Sequence, residues 1–260
     1  MNNCPIFISS ADSYSDIWPV FFDLFKLHWP EYNGVIYLNT EEKKFQSEGL
    51  NIVCTQVGKL GHFGKVFRAG LNQIDSDIVL LMMIDYIFMG KVDNDRVKNY
   101  FNIFKTSHWD ALYLMPGVNN KSSNFNDIML CDPSILDNPS DFCLFSFQTS
   151  FWHKNVLYQI VLPYENPWCS EYYGSKRAKK MNLNIACLKE NLKLPIPYDP
   201  KGCFDKGRWI ANAVEYLQQI NYFMDFGKRG HYREQPCSFR ERLEVKWMYL
   251  KAGLRGSYWV

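Results

Sequence analysis

The stretch that most constrains this chain runs from Ile78 to Phe88, IVLLMMIDYIF. An unbroken apolar run from Ile78 to Ile84 leaves no polar face. It therefore predicts a strand buried on both sides, as at the centre of a parallel sheet covered by helices. The run ends on a single carboxylate, Asp85. In open α/β sheets ligands bind beyond the carboxyl ends of the strands, so Asp85 either caps a turn there or faces a ligand.

The segments before this run fit the same sheet. Pro5 to Ser9 reads as a first strand, followed by a polar loop, Ser10 to Tyr14. Ser15 is placed to cap a helix over Asp16 to Leu27 that buries Ile17, Phe21, Leu24 and Phe25. Gly34 to Leu38 and Ile52 to Thr55 read as two more strands. This β-α-β-β opening is the pattern of a parallel-sheet nucleotide-binding half. Gly58, Gly61 and Gly64 then lead into a helix with Lys65 and Arg68 in its first turns. Free backbone N–H groups beside two cations suit an anion. The spacing matches neither a P-loop nor a dinucleotide fingerprint, and a pliable loop with two solvated cations has the same sequence.

Beyond the central run, Asn94 to Thr106 predicts a helix and Trp109 to Leu114 a strand. Asn119 to Ser140 has the composition of an exposed loop or irregular hairpin. Phe142 to Phe147 reads as a strand and Lys154 to Val161 as a helix. Asn166 and Pro167 are a good cap and first residue for a helix reaching Met181, with Trp168 and Glu171 in its opening turns. With Glu165 just before it, this mouth pairs acids with a ring suited to stacking on a sugar. The same acids also serve as ordinary helix-surface residues. Pro195 to Trp209 interleaves Lys201, Lys206 and Arg208 with aromatic rings, and Phe226 to Arg233 is a second basic loop. Ser238 and Glu241 form a capping box that opens a basic amphipathic helix over the last residues, 238–260. Such a helix docks on its own domain or lies on an anionic membrane surface.

Composition narrows the function class. With 47% hydrophobic and 22% charged residues, the chain of 260 residues has ample material for a core. It reads as one domain, 1–237, with a donor half to about residue 115 and an acceptor half after it, plus the terminal helix. The aromatic share of 17% suits stacking on sugars or bases, and equally an AT-rich coding sequence. A net charge of +2 argues against a general nucleic-acid binder. The 8 cysteines form no C-x-x-C pair and no metal spacing with histidine. Together with a start that lacks a charged leader, this points to free thiols in a reducing cytoplasm.

Four blocks carry a resemblance: SADSYSDIWPVFF, VLLMMIDYIF, FSFQTSFWHKNVL and ENPWCSEYYGSKRA. In this order they are similar to GT-A-fold glycosyltransferases, and more narrowly to bacterial enzymes of capsule and lipopolysaccharide clusters. The resemblance implies an α/β GT-A-like fold, with a mixed, mostly parallel sheet flanked by helices and a helical C-terminal tail. It implies a nucleotide-sugar donor contacted by Ser9, Asp12, Tyr14, Lys65, Arg68, Asp85, Lys206 and Arg208. The acceptor, a glycan or lipid-linked glycan, would meet Trp168 and Gln148. In an inverting transfer Glu171 would serve as base, with Glu165 the second choice. The family's Asp-x-Asp is reduced here to Ile84-Asp85-Tyr86, so a Mn²⁺ or Mg²⁺ ion would rest on Asp85 alone. Two other readings share the scaffold: a sugar nucleotidyltransferase, whose glycine-rich loop after the first strand is missing here, and a non-catalytic sugar- or nucleotide-binding module.

Overall fold

The computed structural model describes residues 4–117, 120–134, 144–234 and 238–257. Its centre is a nine-stranded sheet. β1 (Ile6–Ser9), β2 (Val35–Leu38), β3 (Asn51–Cys54) and β4 (Ile78–Met83) run parallel, with β1 between β2 and β4. On the far side of β4 the order continues with β8 (Ser150–His153), β5 (Ala111–Pro116), β9 (Ile185–Leu188), β7 (Ile128–Cys131) and β6 (Asn120–Ser122). Only β7 and β8 run against the rest, so the sheet is mixed and mostly parallel. Of the loop or hairpin expected over 119–140, residues 120–134 are described and hold the antiparallel pair β6 and β7; 119 and 135–140 lie outside the described residues.

Alternation along the strands divides the core in two. Ile6, Ile8, Leu80 and Met82 face α1 (Trp18–His28), α3 (Asn94–Thr106) and α6 (Ala211–Gln219). Phe7, Val79 and Leu81 face α2 (Phe63–Leu71), α4 (Lys154–Ile160) and α5 (Pro167–Lys180). Helices cover both faces, which is why the central run needs no polar position. No described helix is long and apolar enough to cross a membrane. Cys4, Cys54, Cys131, Cys169, Cys187 and Cys203 are free thiols.

Two local expectations are corrected. Ser15 does not cap α1: residues 12–14 form a 3-10 turn, α1 starts at Trp18, and the Ser15 hydroxyl accepts from Lys43 Nζ at 2.6 Å. The strand expected over 142–147 lies elsewhere, at β8; residues 142 and 143 fall outside the described residues, and 144–147 form a bent connection. Its backbone is satisfied by side chains instead of a ladder. The N–H groups of Phe145, Ser146 and Phe147 donate to Ser175 Oγ, Tyr113 Oη and Glu171 Oε1 at 2.9, 2.8 and 2.9 Å.

The terminal helix expected over 238–260 is α7 (Phe239–Ala252), which opens on the Ser238–Glu241 capping box; residues 258–260 lie outside the described residues. It docks through Met248, Tyr249 and Ala252 against Cys169 and Tyr173, and the Tyr173 hydroxyl donates to the Tyr249 carbonyl at 2.6 Å. The stripe Leu243, Trp247, Leu250 and Leu254 is left exposed.

Candidate active site

β1 and β4 end side by side, with Ser9 opposite Met83, and Asp85 lies two residues beyond β4. Asp85 is half-buried as a residue, and its Oδ1 is sealed with no hydrogen-bond partner among the described residues. A strap from residues 199–203 closes over it. The Cys203 N–H donates to the Asp85 carbonyl at 2.8 Å, and a Cβ on Gly202 would sit 3.1 Å from Oδ2. Gly202 also has φ +76°, so both space and backbone demand glycine there. Burial raises the Asp85 pKa to about 6.

Glu171, in the second turn of α5, faces the same centre. One carboxylate oxygen holds the Phe147 N–H. Burial raises its pKa, the Phe147 bond opposes that rise, and the Asp85 charge adds to it. α5 is fixed at its start by Asn166, whose side chain accepts from the Cys169 N–H at 2.8 Å, with Pro167 as first residue. An aromatic wall adjoins both acids: the Tyr86 and Tyr198 rings lie 4.8 Å apart, and the Tyr86 phenol is pushed up by burial and by the charges of Asp85 and Glu171. Gln148 is held inside this wall. Its Nε2 donates to Tyr86 Oη and the Pro200 carbonyl, each at 2.9 Å, and its Oε1 accepts from Tyr198 at 3.0 Å.

On the β1 side, the Arg229 guanidinium lies 4.9 Å from the Tyr14 ring and 4.7 Å from Phe204. It grips Asp16 with two donors, Nε at 2.7 Å, and donates to the Ser13 carbonyl at 2.9 Å. The Tyr14 phenol is pushed up by burial, then by Asp85, and pulled back by Arg229. The acid and the guanidinium thus act on the Tyr14 phenol in opposite directions. The basic loop Phe226 to Arg233 is visible in the sequence, but nothing in it singles out Arg229, because the partner Asp16 is 213 residues away.

The other expected residues divide sharply. Ser9 is buried at the end of β1. The Asp12 carboxylate shapes the loop after β2, accepting the N–H groups of Glu41, Glu42 and Lys43 at 2.9 to 3.0 Å. Burial works against its ionisation, yet those three bonds hold its pKa below the usual value. Arg68 donates to the carbonyls of Tyr158 and Val161 and stacks 3.6 Å over Tyr158, so its charge secures α4 and does not face the centre. Lys65 lies 4.8 Å from the Tyr164 ring. Gly64 is a packing glycine, since a Cβ there would meet the Leu162 carbonyl at 1.9 Å. Lys206 pairs with Glu241 at 2.8 Å, Arg208 is exposed on the short strand Arg208–Trp209, and Trp168 is 62% exposed.

Glu165 is corrected as a base candidate. It is 2% exposed and bound by Arg177 through Nη1 at 2.8 Å and Nη2 at 2.7 Å. Arg177 also donates to the Ile160 carbonyl, so the pair locks α5 to the end of α4. Sealed from solvent, paired with a guanidinium and also accepting from the Leu162 N–H at 3.3 Å, this carboxylate is held by the protein and not presented to an acceptor hydroxyl. A divalent ion is also poorly served. No three His, Cys, Asp or Glu side chains gather among the described residues, one Asp85 oxygen is sealed, and Glu171 is tied to Phe147. This donor set does not fit a protein-held Mn²⁺ or Mg²⁺ site.

No protein-family model and no curated protein matches the chain. Solved structures do. S. aureus TarS 1–349 aligns with a TM-score of 0.47 at 18% identity, over 74% of this chain and 59% of that one. The same fragment in complex with UDP-GlcNAc aligns at 0.48 and 15% identity, over 88% and 69%. The 2-C-methyl-D-erythritol 4-phosphate cytidylyltransferase of Thermus thermophilus aligns at 0.44 and 10% identity, over 85% and 100%. The chain thus spans about three fifths of the TarS 1–349 fragment in the first of these alignments. At such identities and TM-scores these likenesses leave the chemistry of this chain to its own residues.

Proposed function

We propose that this chain is a glycosyltransferase that moves a sugar from a nucleotide-sugar donor to a hydroxyl of a bacterial surface glycan of the capsule, O-antigen or lipooligosaccharide type. The observation that carries the reading is the pairing of Asp85 and Glu171. Two carboxyl groups of raised pKa, near enough for the Asp85 charge to act on Glu171, lie beyond the carboxyl ends of the strands beside the Tyr86 and Tyr198 rings. In the inverting reaction Glu171 accepts the proton of the acceptor hydroxyl. The acceptor oxygen bonds to the donor's anomeric carbon as the bond to the nucleoside diphosphate breaks, and the leaving group takes the electron pair. Burial makes Glu171 a stronger base than a solvated glutamate, and the Phe147 N–H fixes its orientation. Lys228, with the exposed Arg208, offsets the charge that develops on the diphosphate. Trp168 offers its exposed ring to the acceptor sugar.

The exposed Leu243, Leu250 and Leu254 of α7 and the segment after it, flanked by Arg242 and Lys246, support a peripheral contact with an anionic membrane. The test of the transferase reading is release of nucleoside diphosphate from a panel of nucleotide sugars with glycan acceptors. Nucleotide binding with no turnover of any donor would replace it with a binding module, and pyrophosphate release from a nucleoside triphosphate and a sugar phosphate would replace it with a nucleotidyltransferase.

A further inference from the structure

Beside the centre, the loop entering α2, the start of α5 and the inner edge of α7 enclose a cleft of about 480 Å³. That is within the usual range for small-ligand sites, roughly 300–1,000 Å³. Its lining combines exposed rings with cations. Tyr164 is 51% and Trp247 54% exposed. Lys65 lies over the first ring at 4.8 Å and Lys251 over the second at 5.2 Å. Arg255 adds a third cation, exposed and without an ion pair among the described residues. Of the acids on the lining, Glu165 is buried and paired with Arg177, and Glu244 forms an exposed pair with Arg240 at 3.0 Å, so each acid has a cation of its own. The cleft therefore carries net positive charge next to aromatic surface, the combination that recognises an anionic saccharide.

Its position is equally telling. Phe63, on the cleft wall, packs edge-on against Phe147 at 5.2 Å, and the Phe147 N–H holds Glu171. One layer of rings thus separates the cleft from the base, and Trp168 projects from the first turn of α5 beside it.

We infer that this cleft is a subsite for a phosphate-bearing saccharide, with Lys251 and Arg255 holding the phosphate and Trp247 and Tyr164 holding the sugar. Its name as an acceptor subsite rests on the transferase reading, whereas the binding itself is measured without turnover. The acceptor would then be anchored by its charge and extend along α5 toward Glu171.

The test is fluorine NMR on the full chain labelled with 5-fluorotryptophan, with the Trp247 signal assigned from Trp247→Phe. N-acetylglucosamine 1-phosphate, N-acetylglucosamine and phosphatidylglycerol-containing vesicles are titrated separately. The sugar phosphate is expected to shift the Trp247 signal saturably, at least tenfold more tightly than the neutral sugar. In Lys251→Glu/Arg255→Glu the shift should disappear while the melting temperature stays unchanged, as the sign of an intact fold. Equal response to both sugars, or none to either, overturns the subsite. A Trp247 shift with vesicles alone also overturns it, in favour of a lipid-facing surface. Thermal stabilisation of the unaltered protein by nucleoside diphosphates is read in parallel, so failure of the transferase reading is distinguished from failure of the subsite.

Discussion

Glu165 and Glu171 stand six positions apart at the mouth of one helix, and the fold gives them opposite characters. Glu165 is gripped by Arg177, so its charge is cancelled by a fork of donors and α5 is locked in place. Glu171 holds one backbone N–H and faces Asp85, so burial and a like charge both act against its ionisation. A buried acid that is fully paired is architecture, and one left short of partners is poised to take a proton. The residue type is the same in both cases, and the distinction lies in what the neighbouring elements bring.

The largest way to break this contrast is Glu171→Gln. Loss of a general base costs about 10²- to 10⁴-fold in rate. The amide oxygen still accepts from Phe147, so the melting temperature should hold while turnover of the nucleotide sugar collapses. Turnover within tenfold of the unaltered protein would remove Glu171 from the mechanism. The acidic limb of the pH–rate profile should also fall above the range of a solvated glutamate, because the base must be ionised and its pKa is raised.

Arg177→Met tests the other half of the contrast. It strands the Glu165 charge, and breaking a buried pair typically costs about 3–5 kcal/mol. Urea unfolding should show that loss in its midpoint. A change under about 1 kcal/mol, the scale of a surface pair, would mean that Glu165 is not the structural acid described here.

Asp85→Asn sharpens the comparison through pH. The folded pKa of Asp85, about 6, lies above its ordinary 3.8. The penalty for its charge is therefore absent below the ordinary value and fully present once pH has risen past the folded one. The variant should gain stability near pH 8, on the order of 1–3 kcal/mol, and none near pH 3. Melting curves at the two pH values decide the matter, and an equal change at both would remove the electrostatic cause.

The smallest effect is expected at Arg229→Met. Asp16 is a third kind of acid, its pKa lowered by the Arg229 hydrogen bonds, against a smaller opposing effect of burial. Its contribution is present at neutral pH and lost as pH falls through the depressed value. The variant should lose roughly 1 kcal/mol at pH 7 and less in acid, read again from melting curves. A loss that persisted unchanged in acid would point to the ring contacts with Tyr14 and Phe204 instead.

Much of the frame follows from local pattern. Ile78 to Ile84 has no polar face and becomes the strand covered on both sides. Asp93 and Asn94 open α3 where capping chemistry places it, and Asn166-Pro167 opens α5 in the same way. These features depend on residues within a turn of each other, so spacing is sufficient to read them.

The strand at Ser150 to His153 was decided by tertiary structure. Phe145 to Phe147 looks more strand-like, yet side chains from α5 and β5 take its N–H groups and leave the ladder to β8. Arg68 likewise looks like a phosphate ligand until α4 supplies its carbonyls, and Arg229 looks like loop charge until Asp16 meets it. Local sequence determined where the capped helices and the central strand form. Only the fold decided which charges are spent within the protein and which remain available for chemistry, because a charge is neutralised by neighbours in space that sequence spacing does not specify.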